Sequence, residues 1–291
     1  MNENELKLLS AEQYEETGQF LFAVQIYMQL LQSGFEERRI TLRLAHLYEQ
    51  MKLYDNVEEL IENYLSEHDK DEDLLKLYTQ FLLRVKKFEK VVDLLSGKEV
   101  EKKTSEFNYY LGLASYERGN ITDAKNYFAE YIKLVSSGKF RNPALLAASE
   151  ISIALKEYET ALEYLEELEK SVNDELGRVY YLFAKVYFAK GMNYYAQDFI
   201  LRSLKRNYIA GDSYLLAGKI HFEIEEFEKA EEFFSNSLKD NKKTPEVFSF
   251  LGFISLNKNN VQKAQEFMTM ALEIDPYDEY VLALKRTLLN E

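Results

Sequence analysis

Apolar and small residues recur along this chain with a period near 34. Eight times, a small residue is followed twelve positions later by Ala or Val, and four positions after that by a large apolar residue. The small positions are Ala11, Ala45, Thr79, Gly112, Ser149, Ala184, Gly218 and Gly252. The second column is Ala23, Val57, Val91, Ala124, Ala161, Ala196, Ala230 and Ala264, and the third is Tyr27, Ile61, Leu95, Phe128, Leu165, Ile200, Phe234 and Met268. The chain has 20 Ala among 291 residues, so six in one column of eight is not accidental. A column without bulk lets two helix backbones approach, and large residues a turn away fill the adjoining grooves.

Each period holds two helices. Gly18, Gly119 and Gly191 fall at one place in the repeat, with Asn259 in register. Gly and Asn tolerate the left-handed conformation that ends a helix. An aromatic follows two places on in Phe20, Tyr54, Phe88, Tyr158 and Phe227. Apolar residues at three- and four-residue spacing, as in Phe227, Ala230, Phe234 and Leu238, then trace one face of a second helix. Asn2 and Asn4 suit the start of the first helix, and Glu3 and Glu5 suit its positive end.

The pattern resembles the tetratricopeptide repeat family. The last unit carries the resemblance best, with Pro245, Phe248, Leu251, Gly252, Ala264, Met268, Ala271 and Pro276 where that family expects their types. The unit with Tyr180, Phe183, Ala184, Tyr187, Ala196 and Ile200 is nearly as close. The resemblance implies an all-α fold, an α-α superhelix of about eight helix-turn-helix repeats. The repeats fall at about 4–37, 38–71, 72–104, 105–141, 142–176, 177–210, 211–244 and 245–278. They form a single solenoid domain over 4–278, followed by a capping helix over 279–291. In that helix Tyr280, Leu284 and Leu288 face the last repeat, while Lys285 and Arg286 stop further stacking.

Two repeats depart from the period. After Leu95 the chain runs into Ser96-Gly97-Lys98 and then Lys102-Lys103-Thr104-Ser105, with Glu99 at a position that should be apolar. The fourth repeat ends in Ser136-Ser137-Gly138, and Asn142-Pro143 opens the next after three extra residues. Both read as longer connections at which the stack can flex, or as the plain drift of surface loops.

In this family the first helices of successive repeats line the concave surface. The resemblance therefore places Tyr109, Tyr116, Tyr181, Phe188, Phe222 and Phe253 inward, together with Lys76, Arg178, Lys185 and Lys219. In the second repeat the same register places Arg39, Leu42 and His46 inward. An apolar groove with a few cations suits an extended peptide or an amphipathic helix with acidic side chains. The same aromatics could instead be buried against neighbouring repeats or against a second copy of the chain. Some members of the family hold a C-terminal carboxylate with a set of Lys, Asn and Arg. Here Leu8 and Leu42 stand where lysines are wanted, and Glu12 and His46 where asparagines are wanted, so that specialised role is not expected.

Composition narrows the function classes. The net charge of −14 disfavours nucleic acid, which needs a concentrated basic surface. Seven glutamates oppose one lysine, Lys7, up to residue 37, which reads as a solvated face or as a site for a basic partner. There is no Cys, hence no disulfide or thiol chemistry. No signal peptide and no membrane-spanning run is visible, so the expected location is cytoplasmic. His46, His68 and His221 are far apart along the chain, and His221 with Glu225 makes too small a ligand set for zinc. No phosphate-cradling loop or nucleophile elbow is present. The expectation is a non-catalytic scaffold or adaptor with no cofactor and no metal, binding a protein or peptide partner. A regulatory peptide receptor or substrate-holding chaperone is the alternative. A self-assembling repeat protein, with homo-oligomers, is a third reading.

Overall fold

A computed structural model describes residues 2–96, 105–172, 174–206, 208, 211–240 and 242–289. Among them there are seventeen α-helices and no strand. The first six helices form consecutive hairpins: α1 (Glu3–Glu16) with α2 (Phe20–Gln32), α3 (Glu37–Gln50) with α4 (Tyr54–Glu67), and α5 (Glu72–Arg84) with α6 (Phe88–Leu95). Then come α7 (Ser105–Glu117) and α8 (Ile121–Leu134), followed by the pairs α9 (Arg141–Ala154) with α10 (Tyr158–Ser171) and α11 (Leu176–Ala189) with α12 (Asn193–Lys205). The last pairs are α13 (Gly211–Glu223) with α14 (Phe227–Lys239) and α15 (Pro245–Asn257) with α16 (Val261–Ile274), followed by α17 (Glu279–Leu289). The helices group into two compact units, residues 1–120 and 121–291.

One device ends the first helix of every repeat. Gly18, Gly119, Gly191 and Asn259 have positive φ, as the sequence predicts. Lys52, Lys86, Lys156 and Glu225 occupy the same column, with φ of 60 to 61°. In all eight turns the next residue donates its backbone N–H to the carbonyl five residues back, as in Gln19 to Tyr14 (2.8 Å) and Leu53 to Tyr48 (2.8 Å). This is the bond that closes a helix through a left-handed residue. A side chain other than that of Asn costs about 1 kcal/mol there relative to Gly, and the four turns with Lys or Glu carry that cost. The first helix begins with a reciprocal cap: the Glu5 amide donates to Asn2 Oδ1 (2.8 Å), and the Asn2 amide to Glu5 Oε2 (2.7 Å).

The three sequence columns form the core. Every member of the Ala/Val column is at most 1% exposed. The large apolar column is buried except at its last member, Met268, and the small column except at Ala45. The columns meet directly at Gly218, where an added Cβ would stand 2.6 Å from the ring of Phe234. In the last repeat the closing helix takes over that packing. A Cβ at Gly252 would lie 2.4 Å from Leu284 of α17. Val281 and Leu284 are fully buried, while Lys285 and Arg286 face solvent.

The charges, which look solvated in sequence, bridge neighbouring repeats. Arg39 reaches Glu12 (2.8 Å), Arg84 reaches Glu49 (2.5 Å), Lys190 reaches Glu159 (2.8 Å) and Lys258 reaches Glu231 (2.5 Å). These links answer the acidic first repeat, because Arg39 and Arg43 of α3 pair with Glu12 and Glu15. The connection ahead of α9 is also fastened. The Arg141 guanidinium donates to the carbonyls of Ile132 (2.7 Å) and Val135 at the end of α8, and to Glu167 (2.6 Å). Residues Gly97 to Thr104, where the other longer connection was expected, lie outside the described residues.

Candidate functional site

Curvature within each unit decides which face can hold a partner. In the second unit α9 touches α11 and α11 touches α13, while among the described residues no second helix approaches the next second helix as closely. Crowded first helices and splayed second helices bend a stack toward the first-helix side. In the first unit the same face is indented. Arg39, Leu42 and His46 line an open cleft of about 680 Å³ together with Glu15, Glu36, Glu37, Arg38 and Arg43. Its guanidinium groups are already matched, since Arg38 pairs with Asp71 (2.6 Å), Arg39 with Glu36 (2.8 Å) and Arg43 with Glu15 (3.3 Å).

The inward residues of the second unit form a ladder across consecutive first helices. Arg178 of α11 is held by Glu150 of α9 at 2.6 Å. One turn on, the Tyr181 ring packs on Tyr208 at 5.6 Å, and the Lys185 ammonium lies 5.8 Å from the Tyr181 ring centre. Burial, followed by the nearby Asp212 charge, pushes the Tyr181 phenol well above its usual range, so it remains a neutral hydrogen-bond donor. Phe188, half-buried, faces Lys219 of α13 at 5.8 Å. Lys219 is enclosed: it binds Glu246 at 2.6 Å and lies 5.4 Å from the ring of Tyr280 and 6.0 Å from that of Phe250. Burial works against its charge, but the bond to Glu246 outweighs burial, and its pKa is raised. Phe222 packs into the core, 5.0 Å from Phe250 and 5.5 Å from Phe227, with Phe253 at its edge at 6.3 Å.

Ten residues were expected inward, and the structure sorts them by what they have left to offer. Arg178, Lys219 and Lys76, the last beside Glu106 at 3.6 Å, spend their charge inside the protein. Tyr109 is buried at 8% exposure and Phe222 is mostly core, whereas Tyr116 is 41% exposed. Lys185 is exposed, and no carboxylate among the described residues pairs with it. Tyr280 and Tyr208 join this surface and were not anticipated as part of it. Tyr280 could have been found by counting one more period from Glu246. Tyr208 sits in a connection, which the helix register does not reach.

His221 is a buried group with acid–base character. It is 1% exposed, stacks on Phe233 at 5.0 Å, and shares a 2.6 Å hydrogen bond between Nδ1 and Glu226. The partner is Glu226 and not Glu225, whose residue forms the left-handed turn. Nε2 has no partner. Burial, opposed by Glu226, holds the imidazole pKa below its usual 6.5. The unfolded chain therefore takes up the His221 proton at a higher pH than the folded one. The stability is full above about pH 6.5 and falls as pH drops toward the folded pKa. Urea denaturation at pH 7.5 and 5.5 should show this loss in the parent and a smaller one in His221→Phe. Equal losses in both would remove His221 from the account. The residue packs in the core against Phe233.

No helix among the described residues is long and apolar enough to cross a membrane. Residues 87–277 match the family described as the tetratricopeptide repeat protein 21 C-terminal ARM domain. No curated protein matches the sequence. Similar solved structures include that of pilF from Pseudomonas aeruginosa, at 13% identity, covering 75% of this chain and 98% of that one, with a TM-score of 0.61. Cut9 with Hcn1, from the APC/C hetero-tetramer, is similar at 12% identity over 93% of this chain and 52% of the other, with a TM-score of 0.59. YrrB, described as a TPR protein with an unusual peptide-binding site, is similar at 17% identity over 68% and 97%, with a TM-score of 0.52.

Proposed function

We propose that this chain, which belongs to the family of the tetratricopeptide repeat protein 21 C-terminal ARM domain, is a non-catalytic scaffold that holds a protein partner on the first-helix face of its second unit. The observation that carries the reading is the state of the cations on that face. Arg178 and Lys219 are neutralised from within, and Lys185 is left exposed beside the ring of Tyr181, one turn before Phe188 on the same helix. One unpaired ammonium flanked by aromatics suits a segment with a single carboxylate beside apolar side chains, and not an acidic run. Similar folds support a binding role, since YrrB has a peptide-binding site and Cut9 sits in a hetero-tetramer.

The test is capture from native lysate with the intact chain and with two variants whose helicity is verified by circular dichroism. One is Lys185→Glu alone; the other adds Tyr181→Ala and Phe188→Ala. A protein held by the parent, weakened about tenfold by the charge reversal and lost from the triple variant supports the reading. Identical captures from all three overturn it. Lys219 is left intact, because reversing it would set a second carboxylate against Glu246 and damage the fold.

A further inference from the structure

The first unit brings together three side chains that the sequence keeps apart. Glu37 opens α3, Glu67 is the last residue of α4, and His68 follows it as that helix's C-terminal cap. The antiparallel hairpin folds the end of α4 back beside the start of α3. One ligand atom from each of the three residues then lies within 4.8 Å of the other two.

His68 is set up independently of the two carboxylates. Its ring stacks on Tyr64 with centres 4.3 Å apart and planes 12° from parallel. Its Nδ1 is 3.1 Å from the Tyr64 backbone carbonyl, which can only accept, so Nδ1 carries the hydrogen. In the neutral ring the lone pair is then on Nε2, which is 3.9 Å from Glu37 Oε2. A backbone carbonyl on one nitrogen fixes the tautomer and aims the other, the arrangement that metal-binding histidines use. Within this unit Glu12, Glu15, Glu49, Glu58 and Asp71 each meet a Lys or Arg. Glu37 and Glu67 have no such partner among the described residues, and the nearby Arg38 is taken by Asp71 and Asp73. Both line one side of an open cleft of about 290 Å³, so an ion can reach them.

We propose that Glu37, Glu67 and His68 form a divalent transition-metal site, of the zinc type, that clasps the open end of the second hairpin. One imidazole nitrogen and two carboxylates suit zinc, with water in the fourth position. Zinc bonds of about 2.0–2.2 Å need ligand atoms somewhat closer than they stand here, a closure that rotation of the half-buried Glu37 and the exposed Glu67 supplies. A set with one nitrogen ligand prefers zinc to magnesium, which favours oxygen alone.

The test is calorimetric titration of the intact chain with zinc chloride at pH 7.5, with magnesium chloride as comparison. The expected result is one equivalent of zinc bound with a Kd on the order of micromolar, and no saturable magnesium binding. His68→Ala and Glu67→Gln should each weaken zinc at least tenfold, while His46→Ala leaves it unchanged. Zinc should also raise the melting temperature of the parent by a few degrees, but not that of Glu67→Gln, a near-isosteric exposed change that leaves folding intact. No saturable zinc binding, or equal affinity in the parent and the His68 and Glu67 variants, overturns the site.

Discussion

Gly218→Leu is expected to cost about 3 kcal/mol of stability, at the upper end of what overpacking a core costs. The small column exists so that first and second helices can touch, and Gly218 is where the fit is least forgiving. Even a single added carbon would stand 2.6 to 2.8 Å from three atoms of the Phe234 ring, which is itself fully buried. An aromatic ring has no flexible end to turn aside, so the helices themselves must part. Gly252→Leu should cost less, although its nearest approach is shorter at 2.4 Å. There the obstacle is the tip of Leu284, a flexible side chain on the closing helix. Urea denaturation of the two variants checks both the size and the order. A Gly218→Leu protein as stable as the parent would mean that the repeats pack in another register.

The second large effect concerns a buried charge. Glu58 of α4 has a side chain only 6% exposed and is gripped by Lys87 and by Lys90 at 2.5 Å. Lys90 also reaches Glu62 (3.0 Å), which accepts a hydrogen bond from Tyr78 (2.6 Å). Burial raises the Glu58 pKa, but the hydrogen bonds from Lys87 and Lys90 outweigh it, and the carboxyl is held below its ordinary value. Replacing both lysines by Met should leave the carboxylate buried and unmatched, at a cost of about 2 kcal/mol. That is below the usual range for a broken buried pair, because the lysines are themselves partly exposed. The sign of the pH dependence should then reverse. In the parent, the Glu58 contribution is present above the unfolded pKa near 4.3 and is lost as pH falls through the lower folded pKa. In the double variant burial acts unopposed and the folded pKa lies above the unfolded one. Its deficit should therefore shrink as pH is lowered. Adding Glu58→Gln should recover most of the loss at neutral pH. A double variant with the parent's urea midpoint at pH 7 would show that the carboxylate finds water instead.

The helix ends show how far the sequence could be read. Gly18, Gly119, Gly191 and Asn259 announce their left-handed turns by residue type. Lys52, Lys86, Lys156 and Glu225 adopt the same conformation with side chains that disfavour it, and only their register marks them. The packing of each hairpin imposes the turn there, because the same backbone bond must close every helix pair.

The candidate surface divides in a similar way. Register alone places Tyr181, Lys185 and Phe188 on one helix face, and it reaches Tyr280 when carried one period further. It does not distinguish Lys185 from Lys219 or Arg178, because each looks like a solvated cation in sequence. Their partners Glu246 and Glu150 are 27 and 28 residues away and look equally solvated.

The sequence by itself determined the helix pairs, their period, the buried columns and the closing helix. Each of these follows from spacing within about one repeat, where chain geometry ties position to face. Only the tertiary structure decided which charges are spent, which ring is core, and that Glu37 meets Glu67 and His68. Those outcomes depend on side chains brought together by stacking from about 30 residues apart, and no local pattern records the distance between them.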